Sequence, residues 1–495
     1  MAHGDQWPET RLLVNGELRP AAGGRTYDNI NPATATVAGV AADGSVADLD
    51  EAVGAARAAF DLGDWAYDVA LRVRCLRQLD TALRDHVNEL TDITMTEVGA
   101  PLAACGAVQV NEPLKLPAYY ADLAERTRFD TPLGVADTLG GPADRWVERV
   151  PVGVVAAITP WNVPTQINLA KVAPALGAGC TVVLKPAPET PWSALALGRL
   201  IRDHTDVPAG VFNVVTGADP GLGAALVDDR RVDLVSFTGS TDTGRKVMSA
   251  AAANLTRVFL ELGGKSAHII LDDVDDFGGS SLGAVFGMAM VAGQGCALTT
   301  RILVPRQRYD EAVDALAALM SSMTVGLPDG PGTLMGPLIS ARQLERVDGY
   351  VRTGVDEGAR VVCGGHRVDG LDGYFYAPTL LADVTNDMVV AREEIFGPVL
   401  VVIAHDGDDD AVAIANDSPY GLSGSVVSAD EERATAVARR VRTGTMSVNG
   451  GVWFGCDVPF GGFGASGMGR EMGVAGLDEY LEVRSYARPA PGGPS

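Results

Sequence analysis

The sequence predicts an α/β protein with two doubly wound domains, each built on a largely parallel sheet. The chain has 495 residues, whereas a single hydrophobic core stops growing at roughly 250–300 residues. Short apolar strands alternate with helices from Gly153 onward, and a second alternating series begins near Ala267. Strands at this spacing pair in parallel, because each crossover returns through a helix that covers one face of the sheet.

Two helices are predicted before the first series. The earlier one is expected to begin near Asp48 as its N-cap, with Glu51 three residues later and an apolar face through Phe60. The later one is expected over 70–97, ending near Gly99.

The first alternating series forms the predicted first sheet. In chain order it comprises a strand over 153–158, a helix around 165–178, a strand over 181–184, a helix over 191–205, a strand over 211–215, a helix near 221–227 and a strand over 233–237. Ligands bind such sheets at the carboxyl ends of the strands.

The second series is predicted to form the other sheet. It comprises strands over 267–271, 301–304 and 444–448 and a helix after Tyr309. A helix over 430–442 is expected to have Asp430 as its cap and Gly444 just beyond its end. The Pro- and Gly-rich residues 488–495 are expected to be a frayed tail.

Composition excludes several classes of partner. The chain has 39 basic and 63 acidic residues and a net charge of −24, which argues against nucleic acid or an anionic membrane. No apolar signal segment occurs in 1–18. The longest uncharged stretch, 277–300, is rich in Gly, Ser and Thr, so it is expected to be a buried helix running into a loop. The 6 cysteines form no CxxC pair and the 6 histidines no metal motif. We therefore expect a metal-free cytoplasmic protein with free thiols.

Cys296 is the first candidate for chemistry. A cysteine next to an apolar segment is usually buried, but the flanking residues Gly293-Gln-Gly295 indicate a loop that exposes this thiol. A free thiol has a pKa of about 8.5, so a nucleophilic cysteine needs a basic partner or oriented dipoles close by.

Three polar residues end apolar strands, where ligands of a parallel sheet bind. Glu261 follows Val258-Phe-Leu260 and is either a salt-bridged strand end or a general base. Asn162 is either a turn former or an oxyanion donor. Lys185 is either simply solvated or a ligand of ribose or phosphate.

Two glycine-rich segments are candidates for phosphate binding. Gly239–Gly244 follows a strand and opens a helix, where free N–H groups hold a phosphate, although a plain turn fits as well. Gly462–Gly467 matches GxGxxG, but too little chain follows it to complete a βαβ unit, so we interpret it as loop packing.

Over nearly its whole length the chain resembles the aldehyde dehydrogenase superfamily. The resemblance rests on seven collinear motifs: Pro160-Trp-Asn-Val-Pro164, Leu184-Lys-Pro186, Phe237-Thr-Gly-Ser-Thr241 with Gly244, Glu261-Leu-Gly-Gly-Lys265, Gly293-Gln-Gly-Cys296, Glu393-Glu-Ile-Phe-Gly-Pro398, and Pro459-Phe-Gly-Gly462 running into Ser466-Gly-Met-Gly-Arg470.

The resemblance implies a hydrolytic, non-phosphorylating dehydrogenase with a cysteine nucleophile. Cys296 would attack the aldehyde and form a thiohemiacetal and then a thioester, Asn162 would hold the oxyanion, Glu261 would activate water, and Lys171 would lie nearby. The implied cofactor is NAD, with NADP as an open alternative. The residues implied to bind it are Ile158, Thr159, Pro160, Trp161, Lys185, Gly223, Phe237, Thr238, Gly239, Ser240, Gly244, Leu262, Glu394 and Phe396.

The resemblance also implies an architecture. A Rossmann-like cofactor domain would comprise 1–128 and 151–260, a catalytic domain 261–445, and a small β oligomerisation arm 129–150 with 475–495. Homodimers or homotetramers are expected. The expected partner is an aldehyde, reaching Cys296 through a tunnel lined by Val163, Ala170, Phe454 and Phe460. Small residues at the first two positions favour a medium or bulky apolar substrate.

Three positions depart from the family pattern. Val291 stands where many members have Asn, and Ala292 follows it. Pro188, with Glu189 after it, stands where NAD-preferring members often have Glu, and Gly464 stands where members usually have Lys. Two alternatives stay open: a CoA-acylating semialdehyde dehydrogenase of the same fold, against which Glu261 argues, and a catalytically dead structural or binding relative.

Overall fold

The computed structural model describes residues 8–490. Its strands are β1 (Leu12–Val14), β2 (Glu17–Arg19), β3 (Thr26–Asn31), β4 (Thr36–Ala42), β5 (Asp130–Thr138), β6 (Gly141–Pro151), β7 (Val154–Ile158), β8 (Thr181–Lys185), β9 (Phe212–Val214), β10 (Leu234–Thr238), β11 (Arg257–Glu261), β12 (Ala267–Ile270), β13 (Arg301–Pro305), β14 (Arg360–Cys363), β15 (Thr379–Ala382), β16 (Val399–His405), β17 (Gly424–Val427), β18 (Ser447–Val448), β19 (Gly467–Met468) and β20 (Leu481–Pro489).

The α-helices are α1 (Val46–Leu62), α2 (Val69–Asp85), α3 (Val87–Glu97), α4 (Leu102–Ala104), α5 (Leu116–Arg126), α6 (Pro164–Ala178), α7 (Pro191–His204), α8 (Gly221–Asp228), α9 (Thr241–Ala252), α10 (Phe277–Met290), α11 (Tyr309–Ser321), α12 (Ala341–Asp356), α13 (Val389–Arg392), α14 (Asp408–Asn416), α15 (Glu431–Ala438) and α16 (Gly473–Asp478). A π-helical turn spans Cys105–Gln109. Single 3-10 turns span Ala22–Gly24, Pro113–Lys115, Arg306–Arg308 and Gly464–Ser466.

The first sheet has the strand order β19-β11-β10-β7-β8-β9-β1-β2. Its central strands β11, β10, β7, β8 and β9 are parallel, and the edge strands are antiparallel. Apolar side chains cover both faces, since Val182 and Leu184 of β8 pack on one side and Val183 on the other. This burial on both faces explains why the strands read as continuous apolar runs.

The second sheet has the order β14-β15-β16-β13-β12-β17-β18 and is parallel except for β14. It is also covered on both faces, with Ile302 and Val304 of β13 on one side and Leu303 on the other. The α/β fold class predicted from the sequence, with two doubly wound sheets, is confirmed.

A separate antiparallel sheet has the order β20-β6-β5, and β3 and β4 form a hairpin. The sheet joins the two segments predicted as an arm, because Leu481 of β20 pairs with Pro151 of β6. Leu133, Val135 and Val483 project from it as exposed apolar side chains.

Several element boundaries differ from the predictions. Ser45, not Asp48, caps α1. Asp48 is the third residue of the helix, and its side chain accepts a hydrogen bond from the Ser45 backbone N–H in a capping box. The predicted helix over 70–97 is two helices that meet at His86. The helix capped by Asp430 ends at Ala438, well before Gly444.

The predictions for the chain ends are only partly covered by the structure, whereas the uncharged stretch is fully described. Arg488 and Pro489 belong to β20, so the predicted frayed tail is wrong there. Residues 491–495 and 1–7, on which the tail and signal-segment predictions partly fall, lie outside the described residues. Residues 277–300 form helix α10 and a loop as predicted, although α10 is only partly buried. Within 8–490, no helix is long and apolar enough to cross a bilayer.

Candidate functional site

The candidate site is a cleft of about 1020 Å³ at the carboxyl ends of the first sheet. Lys185, Ile158 and Glu261 are the last residues of β8, β7 and β11. Strand β10 lies between β7 and β11, where Phe237 pairs with Ile158 and Thr238 pairs with Glu261. Most of the residues predicted for the site line this cleft: Ile158, Thr159, Pro160, Trp161, Asn162, Lys185, Phe237, Thr238, Gly239, Ser240, Glu261, Cys296, Glu394 and Phe396. Residues far apart in the chain thus converge on one surface.

Four predicted site residues, Lys171, Gly223, Gly244 and Leu262, are not among the residues lining the cleft. Gly223 lies beneath the side chain of Lys185, since a Cβ there would stand 3.8 Å from Lys185 Cδ. Gly244 packs against Leu262, whose Cδ2 would be 2.5 Å from an added Cβ. These glycines therefore allow close packing behind the cleft wall.

Cys296 sits on a loop that follows α10. Ala292 and Gly293 both have positive φ, at 49° and 71°, and a Cβ on Gly293 would lie 1.9 Å from the Gly397 carbonyl oxygen. The side chain of Gln294 anchors the loop, because its Oε1 accepts a hydrogen bond from Ile339 N at 2.9 Å. The loop is thereby held against the second sheet, and the thiol is half-buried at the cleft.

Asn162 lies in the loop after β7 and is 4% exposed. Its Nδ2 donates to the backbone carbonyl of Gln294 at 2.8 Å, which ties this side chain to the Cys296 loop. A primary amide has two N–H groups, so the second can serve an acceptor in the cleft.

Glu261 and the Cys296 thiol both line the cleft and shift each other's pKa, and Glu261 Oε1 is buried with no hydrogen-bond partner among the described residues. Burial, and then the charge of Glu471, raise the pKa of Glu261 well above the usual carboxyl range. Burial and the negative charge of Glu261 likewise raise the pKa of Cys296. The basic partner expected for the thiol is thus the carboxylate of Glu261. Because both pKa values are raised, the thiol and the carboxyl group both favour their protonated forms.

A buried ion pair lies behind Glu261. Lys171 Nζ is 2.6 Å from Glu471 Oε1, donates to Ser236 Oγ at 3.2 Å and stands 4.9 Å from the ring centre of Phe259. Lys171 lowers the pKa of Glu261, while Glu471 raises it. Sequence reasoning missed Glu471, whose only signal is its place directly after the motif ending at Arg470.

One end of the cleft offers donors for phosphate and ribose. Ser240 caps α9 and accepts from Thr243 N at 3.3 Å. The Phe237 ring leaves no space for a side chain at Gly239, because an added Cβ would lie 2.5 Å from it. Lys185 is 6% exposed, and its Nζ donates a hydrogen bond to the Pro186 carbonyl. Thr238 Oγ1 is buried and has no hydrogen-bond partner among the described residues. This donor set fits the phosphates and ribose of a dinucleotide.

The opposite end is organised around Glu394 and Phe396. Glu394 Oε1 accepts from Gly264 N at 3.1 Å, and burial raises the pKa of Glu394 to about 7. The Phe396 ring meets Trp161 edge-on at 5.3 Å, on a backbone with φ of 60°. Two side chains of α12 that sequence reasoning missed hold this segment: Gln343 donates to the Phe396 carbonyl at 2.7 Å and Arg346 to the Glu394 carbonyl at 2.7 Å.

Comparison with known proteins agrees with this geometry. The aldehyde dehydrogenase family profile matches residues 19–486. A 3-succinoylsemialdehyde-pyridine dehydrogenase from Pseudomonas sp is 43% identical over 96% of this chain and 97% of its own length. The chain belongs to the aldehyde dehydrogenase family.

Solved structures of the family superpose closely on the chain. An aldehyde dehydrogenase from Mycobacterium tuberculosis, complexed with NAD+, has a TM-score of 0.92 and 41% identity over 97% of this chain and 98% of its own. A betaine aldehyde dehydrogenase from Staphylococcus aureus, also in complex with NAD+, has a TM-score of 0.93 and 34% identity over 97% of this chain and 95% of its own.

The departures from the family pattern have local explanations in this dehydrogenase. Val291 contributes a backbone hydrogen bond to the Cys296 loop, because its carbonyl accepts from Gln294 N at 2.9 Å. Gly464 has φ of 59°, and a Cβ there would lie 2.7 Å from the Pro419 carbonyl oxygen, so a lysine would not fit this conformation. Pro188 lines the cleft, and Glu189 instead lies 3.8 Å from Arg342.

An aromatic cluster packs against the same apolar core as Cys296. Trp453 stacks on Phe460 at 5.6 Å with an interplanar angle of 5°, and Phe454 lies edge-on to Trp453 at 6.0 Å. Phe454, Trp453 and Cys296 pack against the same apolar core that contains Phe460 and Ala170. Trp453 was missed because no family motif includes it. Within 8–490, no group of three or more His, Cys, Asp or Glu residues is arranged to hold a metal ion.

Proposed function

We propose that this aldehyde dehydrogenase oxidises an aldehyde to a carboxylic acid with NAD+, through a covalent intermediate on Cys296 that water hydrolyses. The observation that carries the proposal is the convergence of Cys296, Glu261 and Asn162 on one cleft wall. A thiol, a neighbouring carboxylate and a tethered amide supply the nucleophile, the base and the oxyanion donor of acyl transfer.

The first step is addition of the thiol to the aldehyde. The Cys296 proton passes to Glu261, the thiolate attacks the carbonyl carbon, and a thiohemiacetal forms. The oxygen of the former carbonyl takes up the negative charge, and Asn162 Nδ2 and the Cys296 N–H donate to it. Removal of one such donor typically lowers the rate by about 10²–10³-fold.

NAD+, when bound, would supply the hydride acceptor that converts the thiohemiacetal on Cys296 to a thioester. The residues that would hold it lie along the cleft: Ser240 and the N-terminus of α9 for the pyrophosphate, Lys185 for the adenosine ribose, and Glu394 and Phe396 for the nicotinamide half. Trp161 and Gln343 support Phe396 from either side.

Hydrolysis completes the cycle. Once the proton taken from Cys296 has left Glu261 for solvent, Glu261 takes a proton from water, the hydroxide attacks the thioester carbon, and the C–S bond breaks to release the acid. The Cys296 thiolate then takes the proton back from Glu261. Burial of the carboxylate strengthens it as a base, and the Lys171–Glu471 pair sets the field around it. The raised pKa suits a group that gives up and takes back a proton near neutral pH.

The substrate we propose is a medium or bulky apolar aldehyde. The aromatic cluster of Trp453, Phe454 and Phe460 favours a flat, apolar substituent, and the small side chain of Ala170 belongs to the same apolar core. The Pseudomonas relative, named for a semialdehyde that carries a pyridine ring, agrees with this class. An aldehyde panel assayed with NAD+ and NADP+ tests it; a preference for short charged aldehydes such as succinic semialdehyde would contradict it.

Product analysis tests the reaction class. The free acid should form at the same rate with and without coenzyme A, since Glu261 supplies the water-activating base. A strict requirement for coenzyme A and an acyl-CoA product would instead establish the acylating alternative. Iodoacetamide labelling of Cys296 should abolish NAD+ reduction, and unchanged activity in Cys296→Ala would refute the mechanism.

A further inference from the structure

Gln109 is a buried polar side chain that neither the family motifs nor the cleft lining includes. It is the last residue of the π-helical turn Cys105–Gln109 and is 1% exposed. The turn contains a non-helical residue, Ala107, with φ −126° and ψ −109°. Single π-helical turns are rare and occur frequently at functional sites.

Gln109 makes one hydrogen bond toward the catalytic loop. Its Nε2 donates to the backbone carbonyl of Asn162 at 2.9 Å. A carbonyl can only accept, so this bond fixes which end of the amide is nitrogen. Gln109 Oε1 is then buried with no partner among the described residues. A buried acceptor without a partner destabilises the fold, so stability alone does not account for this side chain.

The loop that carries Asn162 has little support of its own. Helix α6 begins at Pro164, and its N-cap, Val163, makes no side-chain cap bond. Asn162 is instead held at two points: its carbonyl by Gln109 and its Nδ2 by the Gln294 carbonyl at 2.8 Å. The two bonds fix the backbone and the side-chain amide together.

We propose that Gln109 is a positioning residue, which holds the Asn162 amide where it donates to the oxyanion of the thiohemiacetal. The inference rests on the proposed function, because it requires Asn162 to be the oxyanion donor. A displacement of about 1 Å at a reacting centre lowers rates by up to about 10²-fold. Gln109 acts only through Asn162, so its loss affects transition-state binding and leaves dinucleotide binding unchanged.

Gln109→Met tests the proposal, because methionine has a similar length but removes both the donor and the orphaned acceptor. We expect kcat to fall by about 10–100-fold, with the Kd of NAD+, measured by tryptophan fluorescence, within twofold of wild type. The Ki of a trifluoromethyl ketone, which forms an oxyanion on Cys296, should rise in parallel with the fall in kcat. Thr94→Val, another buried polar deletion in the adjacent helix α3, should leave all three values unchanged.

A double-mutant cycle with Asn162→Ala separates the possible outcomes. Once Asn162→Ala has removed the amide, Gln109→Met should cause less than a twofold further loss. Wild-type kcat in Gln109→Met, or a full additional loss on the Asn162→Ala background, would overturn the inference. Wild-type kcat in Asn162→Ala itself would instead refute the oxyanion role in the proposed function.

Discussion

At the scale of single residues, the environment of Glu261 decides the chemistry of the site. A carboxylate at the surface would be ionised at neutral pH and too weak a base to activate water. Burial and the nearby Glu471 raise its pKa, and its place beside the Cys296 thiol lets it accept the proton of the nucleophile. Its carboxylate form predominates only above the raised pKa, so the hydrolytic step is faster at alkaline pH than at acidic pH.

Glu261→Gln tests this dependence, because the variant keeps the side-chain size but cannot accept a proton. Steady-state turnover should fall by about 10²–10⁴-fold. The rise of wild-type hydrolysis with pH should disappear in stopped-flow measurements, whereas NAD+ binding should stay unchanged. The account fails at this residue if the variant keeps the wild-type pH profile.

The residues that sequence reasoning found are those next to strand ends or glycines. Glu261 ends β11 and Asn162 follows β7, and a parallel sheet brings such positions to one edge. Cys296 was found from the glycines of its loop after α10. Glu471 was missed because its partner Lys171 lies 300 residues away and leaves no local pattern. Gln109 was missed because a π-helical turn has no sequence signature of its own.

At the scale of elements, the loop of Cys296 depends on the backbone of Gly293. Gly293→Ala would place a Cβ 1.9 Å from the Gly397 carbonyl oxygen and force the loop to move. We expect at least a tenfold loss of activity, together with slower labelling of Cys296 by iodoacetamide.

Gly332→Ala is a matched control for this loop. Gly332 has almost the same φ, 73°, but nothing lies within 4 Å of an added Cβ. The Gly332→Ala variant therefore has the left-handed backbone strain of about 1–2 kcal/mol without the steric clash. Full activity in Gly293→Ala would show that the loop is not fixed by this contact.

A second element-scale prediction concerns the start of helix α7. Glu97 is fully buried and accepts hydrogen bonds from Trp192 N and Ser193 N, both at 2.9 Å. Glu97→Ala leaves these donors without that carboxylate, and we expect a loss of about 2–4 kcal/mol in the free energy of unfolding. Thermal denaturation measures it. Asp80→Ala, which breaks the exposed pair with Arg84, should cost about 1 kcal/mol or less.

Element boundaries show where local signals mislead. Asp48 looks like an N-cap because it is an acid at the start of an apolar face, yet it is the third residue of a capping box that begins at Ser45. His86 divides the predicted long helix, although no Gly or Pro marks the break. The four strands predicted for the first sheet lie within one residue of β7, β8, β9 and β10, because burial on both faces gives them a clear apolar pattern. The strand predicted over 444–448 instead begins at Ser447.

At the scale of the whole molecule, the sheet β20-β6-β5 is the surface through which we expect copies of the chain to associate. Leu133 and Val135 project from β5 with 55% and 60% of their surface exposed. Isolated antiparallel edges with exposed apolar residues readily pair with another chain. Light scattering should therefore give two or four times the mass of the chain.

Leu133→Glu with Val135→Glu should shift this equilibrium toward smaller species while leaving Cys296 reactive to iodoacetamide. Val37→Glu, on the separate hairpin β3–β4, is a control with an exposed apolar residue outside the sheet. A monomeric wild type, or an unchanged mass in the double variant, would contradict the assignment of this surface.

The most direct test of the central claim is to trap the covalent intermediate. Glu261→Gln is mixed with an aromatic aldehyde and NAD+ at alkaline pH, where the Cys296 thiol can lose its proton to solvent without the carboxylate. The mixture is quenched with acid, and its peptides are mapped by mass spectrometry. We expect one equivalent of NADH per chain and an acyl group on Cys296. An acid product formed at the wild-type rate with no acyl group on Cys296 would contradict it.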